Sequence, residues 1–257
     1  MSLNNAQQPS VQHAFFVTGT DTEVGKTFVS CALLAACRDI GLSTAAYKPI
    51  SAGCERTPLG LRNEDALQLQ LASSLVLDYD EVNPIAFEEP IAPHLACAKK
   101  VASGDGTFIE LHDINLGYQH LVDKQSDVLL VEGAGGWRLP LGKNSEGYEQ
   151  YLSDFAVAHK LAVILVVGMR LGCVNHALLT AQAIEQDGLI VVGWVANMLE
   201  PDMPFLAENI QSLQNLLQAP LLGRVPRAST PEDVKACFGL QALLRVQGIR
   251  WDTFIGR

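Results

Sequence analysis

The chain lacks most of the features that mark secreted, membrane and nucleic-acid-binding proteins. Its 257 residues include 18 lysines and arginines against 28 aspartates and glutamates, so the net charge is −10 at pH 7. A protein that reads a phosphate backbone needs a basic face, which this balance disfavours. No apolar run reaches the roughly 20 residues of a membrane-spanning helix, and the first ten residues do not resemble a signal peptide. The composition therefore predicts a soluble protein that binds neither nucleic acid nor membrane.

The cysteines and histidines show no metal-ligand or disulfide spacing. The six cysteines contain no Cys-x-x-Cys pair and lie mostly in apolar stretches, so we expect reduced, buried thiols and a cytoplasmic location. Internal repeats and low-complexity segments are also absent. With 48% hydrophobic residues the chain can bury a large core. We expect a disordered tail over residues 1–13 and one domain over residues 14–257.

The strongest motif is the stretch FVTGTDTEVGKT at residues 16–27. It predicts a buried strand, a phosphate-binding loop and the start of a helix. In such loops the backbone amides bind phosphate, a lysine reaches the outer phosphates and a hydroxyl binds Mg²⁺, roles that suit Gly25, Lys26 and Thr27. Five residues separate Gly19 from Gly25, where the common phosphate loop has four. Either Thr20 replaces the first glycine, or the loop contains an extra residue.

A second motif is DVLLVEGAGG at residues 127–136. It predicts a buried strand that ends in a carboxylate, Glu132, followed by a turn of small residues. Phosphate-loop enzymes often carry on the neighbouring strand an acid that orients Mg²⁺ or its water. The turn from Gly133 to Gly136 can bring backbone close to a ligand.

Strand and helix patterns alternate along the chain, which predicts an α/β fold: one parallel sheet of the phosphate-loop NTPase type with helices on both faces. The expected strands are 14–18, 44–47, 127–132, 161–167, 190–196 and 221–225. The expected helices are 25–39, 63–72, 107–124, 174–186, 203–217 and 231–246. We expect a loop over residues 50–62 and an irregular connection or lid over 83–94. Asn197, directly after a strand, suits a purine edge, although an asparagine there is more often a turn residue.

Six stretches together resemble the dethiobiotin synthetase family: residues 19–27, 47–49, 61–66, 131–137, 171–176 and 193–197. The likeness covers nearly all of residues 14–227, and the five-residue gap in the phosphate loop is itself typical of the family. The resemblance implies an ATP- and Mg²⁺-dependent enzyme that closes a ureido ring on 7,8-diaminononanoate with CO₂. The implied intermediates are a carbamate and a carbamic-phosphoric anhydride.

The resemblance also implies the roles of individual residues. Catalysis would fall to Lys48, Lys26 and Thr22, and Mg²⁺ would bind Thr27, Asp65 and Glu132. The nucleotide would contact Glu23, Val24, Gly25, Lys26, Thr27, Glu132, Gly133, Ala134, Gly135, Asn197, Val225, Pro226 and Arg227. The substrate would contact Thr22, Lys48, Ser51, Ala52, Gly172, Cys173, Val174 and Asn175. In the family, the residues that correspond to Gly172, Cys173, Val174 and Asn175 hold the substrate's carboxylate across a dimer interface. The resemblance therefore implies a homodimer.

One position departs from the family pattern. The family's serine, four residues after the lysine, is Ala52 here, and a serine stands one residue earlier at Ser51. Either Ser51 reaches the substrate or the main chain replaces the contact.

Two other functions remain open on this sequence. A partitioning-type ATPase switch shares the parent fold, but it would carry a second lysine early in the loop. An amide ligase acting on a corrinoid would need a glutaminase domain, for which the chain has little room.

Overall fold

A computed structural model describes residues 13–104, 106, 108–200, 202–227 and 230–240. Its strands are β1 (His13–Gly19), β2 (Thr44–Tyr47), β3 (Ile50–Ser51), β4 (Glu55–Thr57), β5 (Gly60–Arg62), β6 (Ile85–Ala86), β7 (Val128–Glu132), β8 (Pro140–Lys143), β9 (Glu149–Tyr151), β10 (Ala162–Met169), β11 (Val191–Met198) and β12 (Leu221–Val225). Its helices are α1 (Lys26–Asp39), α2 (Glu64–Ala72), α3 (Tyr79–Val82), α4 (Pro93–Ser103), α5 (Leu111–Asp123), α6 (Leu152–Ala158), α7 (Cys173–Gln186), α8 (Leu206–Leu216) and α9 (Pro231–Val234).

Six strands form the central sheet in the order β12, β11, β10, β1, β7, β2, and every neighbouring pair is parallel. Parallel strands are joined by crossovers, so their carboxyl ends all lie at one edge. The strand β1 stands between β10 and β7, and Val17 of β1 is in register with Glu132 of β7. The end of the phosphate-loop strand and the acidic end of its neighbour therefore meet at that edge.

Alternate residues of β10 pack against helices on opposite faces of the sheet. Leu165 and Val167 belong to a cluster with buried residues of α7 and α8, whereas Ile164 and Val166 belong to the larger cluster that includes α1. Continuous apolar strands of this kind are typical of a sheet covered on both sides. The predicted α/β fold with helices on both faces is confirmed.

Several short elements differ from the sequence prediction. Residues 50–62, predicted as a loop, contain β3 and a hairpin of β4 and β5. The predicted irregular connection, 83–94, contains β6, which pairs with β3, and the first residues of α4. Strands of two or three residues are too short to show an alternating pattern. The helices α3, α4 and α6 were not predicted.

Two predicted helix boundaries were wrong. The helix predicted from Thr107 begins at Leu111 with Glu110 at its N-cap position, and Thr107 itself lies outside the described residues. The helix that begins at Pro231 ends at Val234 and continues as a single 3₁₀ turn, Lys235–Cys237, so it does not run unbroken to residue 246. Residues 241–257, and the predicted tail apart from His13, also lie outside the described residues.

The described part of the chain contains all six cysteines. None of them forms a disulfide there, and five of them are buried. None of the described helices has the length and apolar character needed to cross a membrane.

Candidate active site

The phosphate loop connects β1 to α1, and two glycines set its shape. A Cβ atom at Gly19 would lie 2.5 Å from Val24 Cγ2, so Gly19 is the residue that allows close approach. This favours a loop with one extra residue over replacement of the first glycine by Thr20. Gly25 has φ +82°, and a Cβ there would lie 2.2 Å from Asn197 Nδ2. Only glycine tolerates both that backbone conformation and that contact.

Two side chains from other elements hold the loop. Asn197, near the end of β11, donates from Nδ2 to Val24 O at 2.8 Å. The carboxylate of Asp21 accepts from Thr22 N at 2.7 Å and forms an ion pair with Arg170 after β10. The loop is therefore tied to β10 and β11, the two strands next to β1 on that side of the sheet.

Glu132, the last residue of β7, is fully buried beside the start of α1. Its Oε1 accepts hydrogen bonds from Thr27 Oγ1 and Lys48 Nζ, each at 2.7 Å. Lys48 Nζ also lies 3.1 Å from Asp65 Oδ2. The second oxygen of Glu132, Oε2, is buried and has no partner among the residues that the structure describes. A buried carboxylate oxygen without a donor is costly, so this position favours a bound cation.

The two lysines of the site differ in charge balance. Burial disfavours the charged form of Lys48, but the carboxylates of Glu132 and Asp65 outweigh it and raise the pKa of Lys48 above 10.5. Lys26 donates to Asp21 O at 3.1 Å, and burial lowers its pKa to about 8 although Glu132 acts in the opposite direction. Lys48 is thus a compensated internal cation. Lys26 is a poorly compensated one that an anionic phosphate would stabilise.

A cavity of about 780 Å³ opens between the phosphate loop, the end of β2 and the start of α2. The predicted loop residues that line it are Thr22, Glu23, Gly25, Lys26 and Thr27. The other predicted residues that line it are Lys48, Ser51, Ala52, Asp65, Ala134 and Gly135. Val24 and Glu132 are buried directly behind this wall. The structure therefore brings the predicted phosphate, metal and catalytic residues to one place.

Two predicted groups lie elsewhere. Asn197 is in register with Val225, so the residues predicted at the adenine lie together on β11 and β12, with Pro226 and Arg227 following directly. They do not line the cavity. Gly172 to Asn175 form the first turn of α7, with Gly172 at φ +93°, and they also lie outside the cavity lining.

Ser51 lines the cavity, but its hydroxyl is bound to buried neighbours. It donates to Asn83 Oδ1 at 2.7 Å and lies 3.2 Å from Cys54 Sγ. Ala52 is half-buried and lines the cavity beside it. The shift of the serine by one residue thus turns its side chain into a buried network. The sequence signal for that network, Asn83 before a proline, was not recognised.

A further wall of the cavity was missed. The cavity is lined by residues 90–93 between β6 and α4, with Leu139 also in contact. These side chains are mainly apolar, and the sequence signals were the two prolines and the prediction of an irregular connection or lid over 83–94. They give the cavity an apolar wall in addition to its charged one.

Comparison with known proteins identifies the family. Residues 13–233 match the family described as AAA domain. The chain is 53% identical over 216 residues to the ATP-dependent dethiobiotin synthetase BioD of Cellvibrio japonicus, which covers 84% of this chain and 90% of that protein. It is 52% identical over 232 residues to the protein of the same name from Pseudomonas paraeruginosa, covering 90% and 97%. The chain belongs to the ATP-dependent dethiobiotin synthetase family.

The family membership predicted from the six sequence stretches is confirmed, and the dependence on ATP with it. This dethiobiotin synthetase family member also resembles the solved MinD cell division protein of Aquifex aeolicus, with a TM-score of 0.51 and 13% identity over 93% of this chain and 98% of that one. At such low identity the likeness shows a shared fold and says nothing about a shared function.

Proposed function

We propose that this chain forms dethiobiotin, ADP and phosphate from 7,8-diaminononanoate, CO₂ and ATP. The observation that carries the proposal is the single cavity in which the phosphate loop faces the cluster of Lys48, Asp65 and Glu132. Its volume of about 780 Å³ lies within the range of small-molecule sites. Its charged wall suits a triphosphate and its apolar wall suits an alkyl chain.

The residues fit the steps of that reaction. One amine of the substrate attacks CO₂ and loses a proton, and the cation of Lys48 stabilises the carbamate anion that forms. The carbamate oxygen then attacks the γ-phosphorus of ATP, ADP leaves, and Lys26 balances charge on the transferred group. The second amine attacks the carbamate carbon, its nitrogen releases a proton to solvent and phosphate leaves with the C–O bonding pair, which closes the ring. Thr22 lines the cavity, and we expect it to contact the reacting amines.

The donor set beside the loop fits Mg²⁺. Hard oxygen ligands are available from Thr27 Oγ1, Asp65 and the unpartnered Oε2 of Glu132. No group of three or more histidine, cysteine, aspartate or glutamate side chains gathers in the described residues, so phosphates and water would complete the coordination. A bound Mg²⁺ would neutralise charge on the phosphates. Asn197 holds the loop with Nδ2, which leaves its carbonyl oxygen to accept from an adenine amino group beside Val225 to Arg227.

Product analysis tests the reaction. With ATP, Mg²⁺, bicarbonate and the diamine, we expect a product heavier than the diamine by one CO less two hydrogens, in a one-to-one ratio with ADP. Reactions without the diamine are the control and should release little ADP. ATP turnover that is indifferent to the diamine would instead favour a partitioning-type switch.

We further propose a homodimer in which the first turn of α7 holds the substrate's carboxylate for the neighbouring subunit. A helix N-terminus favours an anion. Leu171, directly before this turn, is 96% exposed, and Leu179 on the same helix is 57% exposed, which suits a protein interface.

A charge at that surface should separate the subunits. We expect Leu171→Asp to sediment as a monomer and to lose most of its activity, because a buried unpaired carboxylate destabilises an apolar interface. Val76→Asp is the control, since Val76 is also 96% exposed. Val76 lies after α2, beside the edge strand β2 and away from α7. Equal sedimentation of the two variants at the wild-type rate would contradict this interface.

A further inference from the structure

A buried amide lies behind the wall of the active-site cavity. Asn83 ends α3 and is only 2% exposed. Its Nδ2 donates to Lys48 O at 2.6 Å, and its Oδ1 accepts from Ser51 Oγ at 2.7 Å and from Tyr79 Oη at 2.9 Å. The side-chain amide therefore makes three hydrogen bonds, and two of its partners belong to the segment between β2 and β4.

Lys48 depends on this amide for its backbone position. Pro49 follows Lys48 and interrupts the strand, because proline has no backbone N–H to donate to a neighbouring strand. Lys48 N donates to Val82 O at 2.8 Å, and Lys48 O accepts from Asn83. Both backbone polar groups of the lysine thus bond to the end of α3 and not to a neighbouring strand of the sheet. The Cα from which the side chain reaches the cavity is fixed by α3.

Tyr79 extends the same network to the helix that carries Asp65. Its hydroxyl oxygen accepts from Asn63 N at 2.7 Å while it donates to Asn83. Asn63 is the N-cap of α2, and its Oδ1 accepts from Ala66 N at 3.2 Å. A shift of the tyrosine hydroxyl would therefore move the first turn of α2 and the carboxylate of Asp65.

We propose that Asn83 and Tyr79 are positioning residues for ring closure, which hold Lys48 and Asp65 at the geometry the reaction requires. The inference rests on the function proposed above. Neither residue lines the cavity, so both act through the residues that do. Lys48 Nζ lies 2.7 Å from Glu132 and 3.1 Å from Asp65 only because its backbone and the start of α2 share one network. The phosphate loop is held separately by Asn197 and Arg170, and it meets the network only through Thr27, which shares Glu132 Oε1 with Lys48.

Because the phosphate loop is held separately from Lys48, the variants should affect catalysis more than nucleotide binding. Loss of a supporting hydrogen bond behind a site commonly costs roughly 10- to 100-fold in activity, and misplacement by about 1 Å has effects of similar size. We expect kcat to fall about 10-fold in Tyr79→Phe and up to about 100-fold in Asn83→Ala. The equilibrium affinity for a non-hydrolysable ATP analogue, measured without Mg²⁺, should change less than about threefold, because the loop keeps its contacts.

The experiment compares Tyr79→Phe with a control variant, Tyr118→Phe. Tyr118 is another buried tyrosine, which packs on Phe155 and His159, and its replacement removes the same hydroxyl oxygen. Steady-state kinetics, analogue titration and thermal unfolding are measured on each variant, and the double variant Tyr79→Phe/Asn83→Ala is added. Because the two residues act through one network, the fold-loss of kcat in the double variant should be well below the product of the fold-losses in the two single variants.

The inference is overturned if Tyr79→Phe lowers kcat no more than Tyr118→Phe does, or if analogue affinity falls in the same proportion as kcat. Tyr79→Phe carries the test even if Asn83→Ala does not fold, since it deletes a single oxygen. A wild-type protein that forms no dethiobiotin would refute the proposed function itself. Active wild type with unaffected variants would refute only the positioning role.

Discussion

We expect the replacement of Lys48 with methionine to lower the free energy of unfolding by about 3–5 kcal/mol and to remove most of the ring-closing activity, while Mg·ATP still binds. Lys48 is buried and its Nζ lies 2.7 Å from Oε1 of the fully buried Glu132. Removing one partner of a buried ion pair leaves the other charge uncompensated, which typically destabilises a protein by about 3–5 kcal/mol. For a chain of this length the expected fall in Tm is roughly 10 °C.

The activity and the stability of this variant separate two roles of the lysine. Loss of the cation that stabilises the carbamate should reduce kcat by about 100- to 1,000-fold. Lys26 and Thr27 are unchanged, so equilibrium titration with the ATP analogue should give an affinity close to wild type. Mg²⁺ alone should raise the Tm of Lys48→Met more than that of the wild type, because Glu132 and Asp65 have lost their internal cation.

Two further variants make the Lys48 result decisive. The double variant Lys48→Met/Glu132→Gln removes both charges and should recover much of the stability but none of the activity. Lys99→Met is the matched control: Lys99 Nζ also lies 2.7 Å from a carboxylate, that of Glu89, but this pair is exposed, so its loss should hardly change unfolding. An unfolding shift no larger than that of Lys99→Met would contradict the buried-pair interpretation.

Replacing Lys26 with methionine is expected to have the opposite effect on stability, raising it in the absence of ligand. Burial lowers the pKa of Lys26 from 10.5 to about 8, a difference that corresponds to about 3 kcal/mol of unfavourable free energy at neutral pH. A methionine of similar length fills the same space without a charge. We therefore expect Tm to rise by roughly 5 °C, while affinity for Mg·ATP falls roughly 10- to 100-fold with the loss of a charged phosphate contact.

The pH dependence of this effect has a defined sign. Below pH 8 the folded and unfolded chains both carry the proton, so the cost is present in full. Between about 8 and 10.5 the folded protein has lost the proton and the unfolded chain still holds it, so the cost disappears as pH rises. The stability gain of Lys26→Met over wild type should therefore shrink from pH 7 to pH 10. Chemical denaturation at both pH values checks it, and a gain that grew with pH would contradict the assignment.

Local patterns predicted the long elements of the fold well. The strand of residues 44–47 and the strand of residues 221–225 are placed as predicted, and α2 begins after its predicted cap, Asn63. A cap or a buried strand is specified by neighbouring residues, so sequence alone can reveal it. The strand β3 pairs with β6, which is distant in sequence, and β4 and β5 have only three residues each. No local periodicity therefore predicts these pairs.

The sequence by itself determined the family, the α/β class, the phosphate loop between β1 and α1 and the acid at the end of β7. These follow from glycine conformation, strand hydrophobicity and motif order, which act over a few residues. Only the tertiary structure decided that Lys48 lies between Glu132 and Asp65, that Asn197 supports Gly25, and that Ser51 belongs to the network of Asn83. Those contacts join segments tens to more than a hundred residues apart, and they depend on the register of parallel strands and on which side chains burial forces together.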